Sequence, residues 1–290
     1  MAIDYHKLKN WPFPDVEHSY RAKDTILYAL GLGFGADPMD RDQLRFVYED
    51  GLRALPTMAT VLAYPGQWAK NPETGIDWKQ VVHGEQRLLL HKPLPAAATV
   101  VGRTAIEDII DKGAGKGALI YSRREVRDKE TGDLLASLWG TSFLRANGGF
   151  GGPSGPTRPV HSVPERAPDL VCDLPTLPQA ALIYRLSGDY NPLHADPEVA
   201  KAAGFPRPIL HGLCSFGVAG HALLRTLCGY DPARLKRIDG RFSSPVFPGE
   251  TIRTEMWPQA TGGETHVSFQ CRVPGRDEVV VSNGLAVLRN

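Results

Sequence analysis

The chain is 290 residues long, with 42% hydrophobic residues, 22% charged residues and a formal net charge of +1. That composition supplies a full globular core, and the length suits two packed units or one large one. The even balance of charge excludes a global electrostatic footprint for nucleic acid or an anionic membrane, so any phosphate on a ligand must be met by a local basic cluster.

Met1 to Trp11 is mixed polar, without the apolar run of a signal peptide. Lys23 to Leu32 is predicted as a helix, with Ile26, Leu27 and Leu30 on an apolar face. Leu52 to Leu62 is a second helix candidate, weakened by Pro56. Four strand-like segments come next: Val81 to Leu90, Thr99 to Ile110, Lys116 to Arg127 and Leu134 to Leu144. Several alternate apolar and polar residues, as half-buried antiparallel strands do. The composition then breaks. Asn147 to Pro156 is glycine-rich, and the residues after it are punctuated by Pro159, Pro164, Pro168, Pro175 and Pro178. Such a stretch supports neither helix nor central strand. The expected division is a first unit over 1–152, a linker over 153–178 and a second unit over 179–290.

Beyond the linker, Gly212 to Leu227 is predicted as a largely apolar helix, buried all round within a wrapping sheet. The most apolar stretch of the chain, Ile209 to Leu224, is interrupted by His211, Ser215 and His221 and is not read as a membrane span. Four further strands are predicted: Leu235 to Ser243, Thr251 to Trp257, Thr265 to Val273 and Val279 to Leu288. The halves echo each other. Pro93-Leu94 then Thr99-Val100 matches Pro245-Val246 then Thr251-Ile252, and Gly140 to Leu144-Arg145 matches Gly284 to Leu288-Arg289. Two echoes in the same order point to a duplicated fold. Cys172, Cys214, Cys228 and Cys271 show no CxxC spacing and are expected to be reduced thiols of a cytoplasmic protein. The chain ends Val-Leu-Arg-Asn, with no peroxisomal or endoplasmic-reticulum address.

Chemistry concentrates between Tyr184 and Gly212. Ser187-Gly188-Asp189 and Asn191-Pro192 are turn formers, so the backbone leaves a helix and bends here. The bend gathers Asp189, Asn191 and His194: an acid, an amide and an imidazole able to hold one water. The plainer alternative is that Asp189 caps its own turn and His194 lies on the surface. His211 and Cys214, with His194 or His221, lack the close pairing of a zinc site, so no metal is expected. Gly212 opens the long helix. Its N–H has no partner inside the helix, and glycine lets a ligand oxygen approach it. Such a donor can polarise a thioester carbonyl, or it can be only a tight entry turn.

Tyr184-Arg-Leu-Ser-Gly-Asp-Tyr-Asn-Pro-Leu-His194 resembles the hydratase 2 signature of the MaoC-like family, and Pro208-Ile-Leu-His-Gly-Leu-Cys214 resembles the helix-entry segment of the same family. Val82-His-Gly-Glu-Gln86, Lys92-Pro-Leu-Pro95, Asp111-Lys-Gly-Ala-Gly115 and Gly148-Gly-Phe-Gly-Gly152 extend the likeness over the first half, towards the hydratase 2 unit of peroxisomal multifunctional enzymes of type 2. The resemblance implies an α+β double hot-dog: two antiparallel sheets, each wrapped round a central helix, with one catalytic loop, in the second half. It implies an (R)-specific enoyl-CoA hydratase that uses no cofactor, acts on an acyl-CoA thioester and forms a homodimer. Asp189 and His194 would be the catalytic pair, Asn191 their support and Gly212 the oxyanion donor. CoA or substrate contacts would come from His83, Gly84, Lys112 and Phe242, and from Tyr190, Pro192 and Leu193 of the motif itself. The first half, which lacks a Gly-Asp-x-Asn-Pro-x-His loop, would make room for the acyl chain. Two rivals are a hot-dog thioesterase, which would release free thiol from saturated acyl-CoA, and a non-catalytic acyl-CoA binding subunit, which would have no reason to keep both Asp189 and His194.

Overall fold

The structure is a computed structural model describing residues 2–290. Its strands are β1 (Val16–Tyr20), β2 (Val81–Leu90), β3 (Ala98–Asp111), β4 (Ala118–Asp128), β5 (Leu134–Leu144), β6 (Leu170–Pro175), β7 (Leu235–Phe242), β8 (Thr251–Thr261), β9 (Glu264–Val273) and β10 (Glu278–Arg289). The helices are α1 (Tyr5–Lys9), α2 (Ala22–Gly31), α3 (Arg41–Leu44), α4 (Ala180–Tyr184), α5 (Pro197–Ala202) and α6 (Gly212–Leu227).

The strands form one antiparallel sheet in the order β1-β3-β4-β5-β2-β7-β10-β9-β8-β6. Read outward from its middle, each half repeats one plan. The seam strand comes first, β2 or β7, followed by β5, β4, β3 and β1 on one side and by β10, β9, β8 and β6 on the other. The duplication hinted at by two short echoes is therefore a duplication of topology. The expected sheets are not separate: β2 pairs with β7 from Glu85↔Arg241 to Leu89↔Arg237 and makes them continuous. This seam closes the two edges that isolated sheets would leave open.

The strands expected from alternation are all present. The two that pattern reading misses, β1 and β6, are short outer strands. β6 lies inside the proline-rich stretch expected to be linker and ends at Pro175, a position open to proline on an outer strand. β8 runs past its expected end at Trp257 through Pro258 for a related reason. Its pairing with β6 stops at Met256, so Pro258 faces an open edge where no N–H is required.

The helix α6 is buried from Cys214 to Leu224, as its low charge requires. Gly217 lets α2 and its exit lie close, since a Cβ there would fall 2.7 Å from the Leu32 side chain and 3.2 Å from the Tyr28 hydroxyl. The first half has no counterpart of this length. The expected helix over Leu52 to Leu62 is instead a 3₁₀ turn, Pro56–Thr60, whose five residues are all buried. Pro56 starts the turn and no α-helical ladder continues it. The segment between β5 and β6 laces the outer face of the sheet. Arg87 donates to the Pro159 carbonyl at 3.4 Å, Arg158 pairs with Glu107 at 2.9 Å, and the Asn283 amide donates to the His161 carbonyl at 2.7 Å. All four cysteines are free and buried. Among the described residues no helix is long and apolar enough to cross a membrane.

Candidate active site

The chain leaves α4 through a 3₁₀ turn, Arg185–Ser187, and reverses at Gly188, whose φ of 123° only glycine adopts readily. Asp189 Oδ1 then accepts the Asn191 N–H at 3.2 Å. Asn191 Oδ1 accepts the Leu193 N–H at 3.1 Å and so caps a second 3₁₀ turn, Pro192–His194, with proline at its first position. The side-chain oxygen of Asn191 is thereby committed to shaping the loop. His211 joins Asp189 and His194 as a further group that the sequence did not point to.

Ligand atoms of Asp189, His194 and His211 all lie within 4.8 Å of one another. The two imidazoles stack with centroids 3.7 Å apart and planes 28° apart. His194 is fixed by its Nδ1, which donates to the Ile209 carbonyl at 2.9 Å. A proton on Nδ1 leaves Nε2 of the neutral ring as a bare acceptor. Burial lowers the His194 pKa, against the opposing pull of Ile209 and Asp189, so the ring is neutral at pH 7. His211 is 1% exposed, and burial, with His194 beside it, holds its pKa well below the ordinary histidine value. Its Nε2 lies 3.2 Å from the Asp189 carbonyl oxygen and its Nδ1 is buried without a partner. The set can hold a water or a small ion.

His211 is also the residue that precedes α6. Within the helix the His211 carbonyl is taken by Cys214 and Ser215, at 3.0 and 3.2 Å, and the Gly212 N–H has no main-chain partner. A Cβ on Gly212 would meet three atoms of the Phe242 ring at 3.2, 3.3 and 3.4 Å. Phe242 packs edge-on against His83, centroids 5.0 Å apart, and the His83 Nε2–H donates to the Glu85 carbonyl at 3.0 Å. Burial pushes His83 down to about 4, with Asp189 pulling the other way. The structure thus assembles Asp189, His194, Gly212, Phe242 and His83 across the seam of the two halves.

The other expected residues are placed more loosely. Tyr190 is 55% exposed, under the Arg185 guanidinium, and Pro192 and Leu193 belong to the capped turn. Gly84 sits beside the bulge between His83 and Glu85, where β2 loses register with β5. Lys112 occupies a turn whose shape comes from Asp111, which accepts N–H groups from Gly113, Gly149 and Gly151 at 2.8, 2.7 and 2.9 Å. Sequence reading passed over His211 as a site residue although it stands inside the helix-entry motif.

A loop of acid and imidazole against the N-terminus of a sheet-wrapped helix is equipped for acid–base chemistry beside a polarised carbonyl. Residues 18–146 match the MFE-2 hydratase 2 N-terminal domain, and residues 159–274 match the MaoC like domain. The chain is 39% identical to the peroxisomal enoyl-CoA hydratase 2 of Arabidopsis thaliana, over 96% of this chain and 91% of that protein. It is 42% identical to 3-hydroxyacyl-thioester dehydratase Y of Mycobacterium tuberculosis, over 98% of each. The crystal structure of a MaoC-like dehydratase from Phytophthora capsici superposes with a TM-score of 0.85 at 37% identity, covering 99% of this chain and 98% of that one. The chain belongs to the MaoC-like hydratase 2 family, and the double hot-dog fold and the hydro-lyase class go with that membership.

Proposed function

We propose that the protein catalyses reversible hydration of a trans-2-enoyl-CoA to a (3R)-3-hydroxyacyl-CoA. The observation that carries this reading is the bare, neutral Nε2 of His194 beside the Asp189 carboxylate, next to a helix that begins with an unpartnered Gly212 N–H. Water sits between Asp189 and His194. His194 Nε2 takes one proton from it as the oxygen attacks C3, while Asp189 accepts the other O–H and orients it. Charge moves through the conjugated system to the thioester oxygen, where the Gly212 N–H receives it. The proton on His194 then passes to C2, and the second water proton stays on the new hydroxyl. Atoms and charge balance without any further reactant.

His211 holds the loop in register, through Nε2 to the Asp189 carbonyl and through its stack on His194. His83, Gly84, Lys112, Tyr190, Pro192, Leu193 and Phe242 form the CoA and acyl walls in this reading, and the working unit is a cytoplasmic homodimer. Names of the relatives, enoyl-CoA hydratase 2 and 3-hydroxyacyl-thioester dehydratase, support the hydration step. The test is loss of enoyl absorbance on crotonyl-CoA and a long-chain enoyl-CoA, with chiral resolution of the product. Rapid formation of the (3R)-alcohol is expected. A (3S) product, or free thiol released from saturated acyl-CoA without hydration, overturns the reading.

A further inference from the structure

Arg124 is a buried cation without an anion. It stands on β4, in one cross-strand row with Leu138, Leu88 and Ile238, on the face that packs into the core. Its neighbours Arg123 and Arg127 share Glu125, at 2.5 and 3.0 Å, on the opposite face. Arg124 is 8% exposed, and among the described residues no carboxylate forms an ion pair with it. Its Nη2 donates to the Thr60 carbonyl at 2.7 Å and, at the limit of bonding, to Ala59 at 3.5 Å. These carbonyls end the 3₁₀ turn Pro56–Thr60, so one nitrogen caps that turn. The cap leaves most of the group unexplained. Nε is buried with no partner, and the half-exposed ring of Tyr64 lies 5.5 Å from the guanidinium carbon.

Removing an arginine from water without a counter-charge is strongly unfavourable, and two carbonyl dipoles offset only part of that. The fork geometry suits a planar carboxylate, and a desolvated fork binds one with little reorganisation. Its position says where that carboxylate comes from. A Cβ on Gly140 would lie 3.3 Å from Ser122 Oγ and 3.8 Å from His83 Nε2, and Ser122 stands two residues before Arg124 on the same face of β4, so Arg124 belongs to the first half and lies one step along the sheet from His83. The Arg124 cation and the Asp189 anion both act on Tyr64 and His83. Phe242 and His83 form the wall at Gly212, and His83 is the part of it contributed by the first half. The short 3₁₀ turn that replaces a central helix in that half contributes the carbonyls that hold Arg124 in place.

We propose that Arg124 binds a carboxylate on the distal part of the acyl chain, making the thioesters of dicarboxylic enoyl chains preferred substrates. This rests on the hydratase reading and narrows its substrate class. The half-exposed Tyr64 ring is the movable cover through which the chain end reaches the guanidinium.

The experiment measures kcat/KM for paired trans-2-enoyl-CoAs of short, medium and long chain, one of each pair ending in methyl and the other in a free carboxylate. Wild-type protein should favour the carboxylate at one length, by roughly ten- to a hundredfold, the size of a charge-assisted hydrogen bond inside a protein. Arg124→Met should abolish the preference, and Arg124→Lys, which keeps the charge but not the fork, should retain a fraction of it. Thermal melts of each variant separate lost recognition from lost folding. Should Arg124→Met fail to fold, the wild-type length series decides alone. No preference at any length, or a preference that survives Arg124→Met, overturns the proposal while methyl-ended hydration leaves the hydratase reading standing. Hydration of neither substrate overturns both.

Discussion

Gly212→Ala is a one-methyl perturbation of the helix N-terminus. The new Cβ would lie 3.2–3.4 Å from three atoms of Phe242, a few tenths of an ångström inside comfortable contact. Phe242 cannot simply recede, because His83 stands 5.0 Å behind it and is tied to the Glu85 carbonyl. The strain is shared between the ring and the first turn of α6, at about 1–3 kcal/mol for an overpacked site. That turn carries the Gly212 N–H, so its displacement also weakens charge stabilisation at the thioester oxygen. Loss of one such donor costs on the order of 10²–10³ in kcat. Since the alanine shifts the donor rather than deleting it, a fall of about tenfold to a hundredfold is expected, with KM moving less. The assay is steady-state hydration of crotonyl-CoA beside a thermal melt. Full activity in Gly212→Ala, with the melt unchanged, would refute the placing of this N–H at the reacting carbonyl.

The buried imidazoles and the glycine-rich turn lead to three further outcomes. Because burial lowers the His194 pKa and Nε2 must be unprotonated, kcat/KM should hold steady through neutral pH and fall only below the ordinary histidine value of 6.5, an acid limb that His194→Gln should lack. His221, stacked 3.6 Å over Phe34 and pushed down to about 4 by burial, binds its proton more weakly folded than unfolded. Its contribution to stability is complete above pH 6.5 and is lost as pH falls towards 4, up to about 3 kcal/mol, so His221→Gln should flatten that part of a Tm-against-pH curve. Lys112→Ala should raise KM for CoA substrates at low salt with kcat little changed, and the effect should shrink as salt is added. An unchanged KM there would remove Lys112 from the CoA site.

Periodicity carried most of the fold, because an alternating strand in a half-buried sheet leaves its pattern in the residues themselves. β2, β5 and α6 have the limits the pattern predicts. β1 and β6 escaped because outer strands need neither strict alternation nor freedom from proline. The joining of the two sheets through Glu85↔Arg241 was invisible, since a seam between halves is long-range pairing that no local pattern marks. In the candidate site, the nearness of Asp189 and His194 was legible in a dense run of turn formers, and the place of Gly212 in the apolar helix it opens. The sequence suggested Asn191 as the third water-holding group. In the folded chain its oxygen caps the turn that carries His194, and His211, brought in by the entry into α6, stacks on that ring. Arg124 could not have been singled out at all. Between Arg123 and Arg127 it reads as one of several surface arginines, and only the side of the sheet it faces sets it apart.

The central claim is that one water is activated between Asp189 and His194. Its most direct measurement is the turnover of Asp189→Asn and His194→Gln on the best enoyl-CoA substrate, alongside substrate binding and thermal melts. Each variant should fold and bind nearly as the parent does, and each should lose at least about 10²-fold in kcat, the usual cost of a positioned acid–base group. Near-normal turnover in either variant, with the fold intact, would contradict the claim.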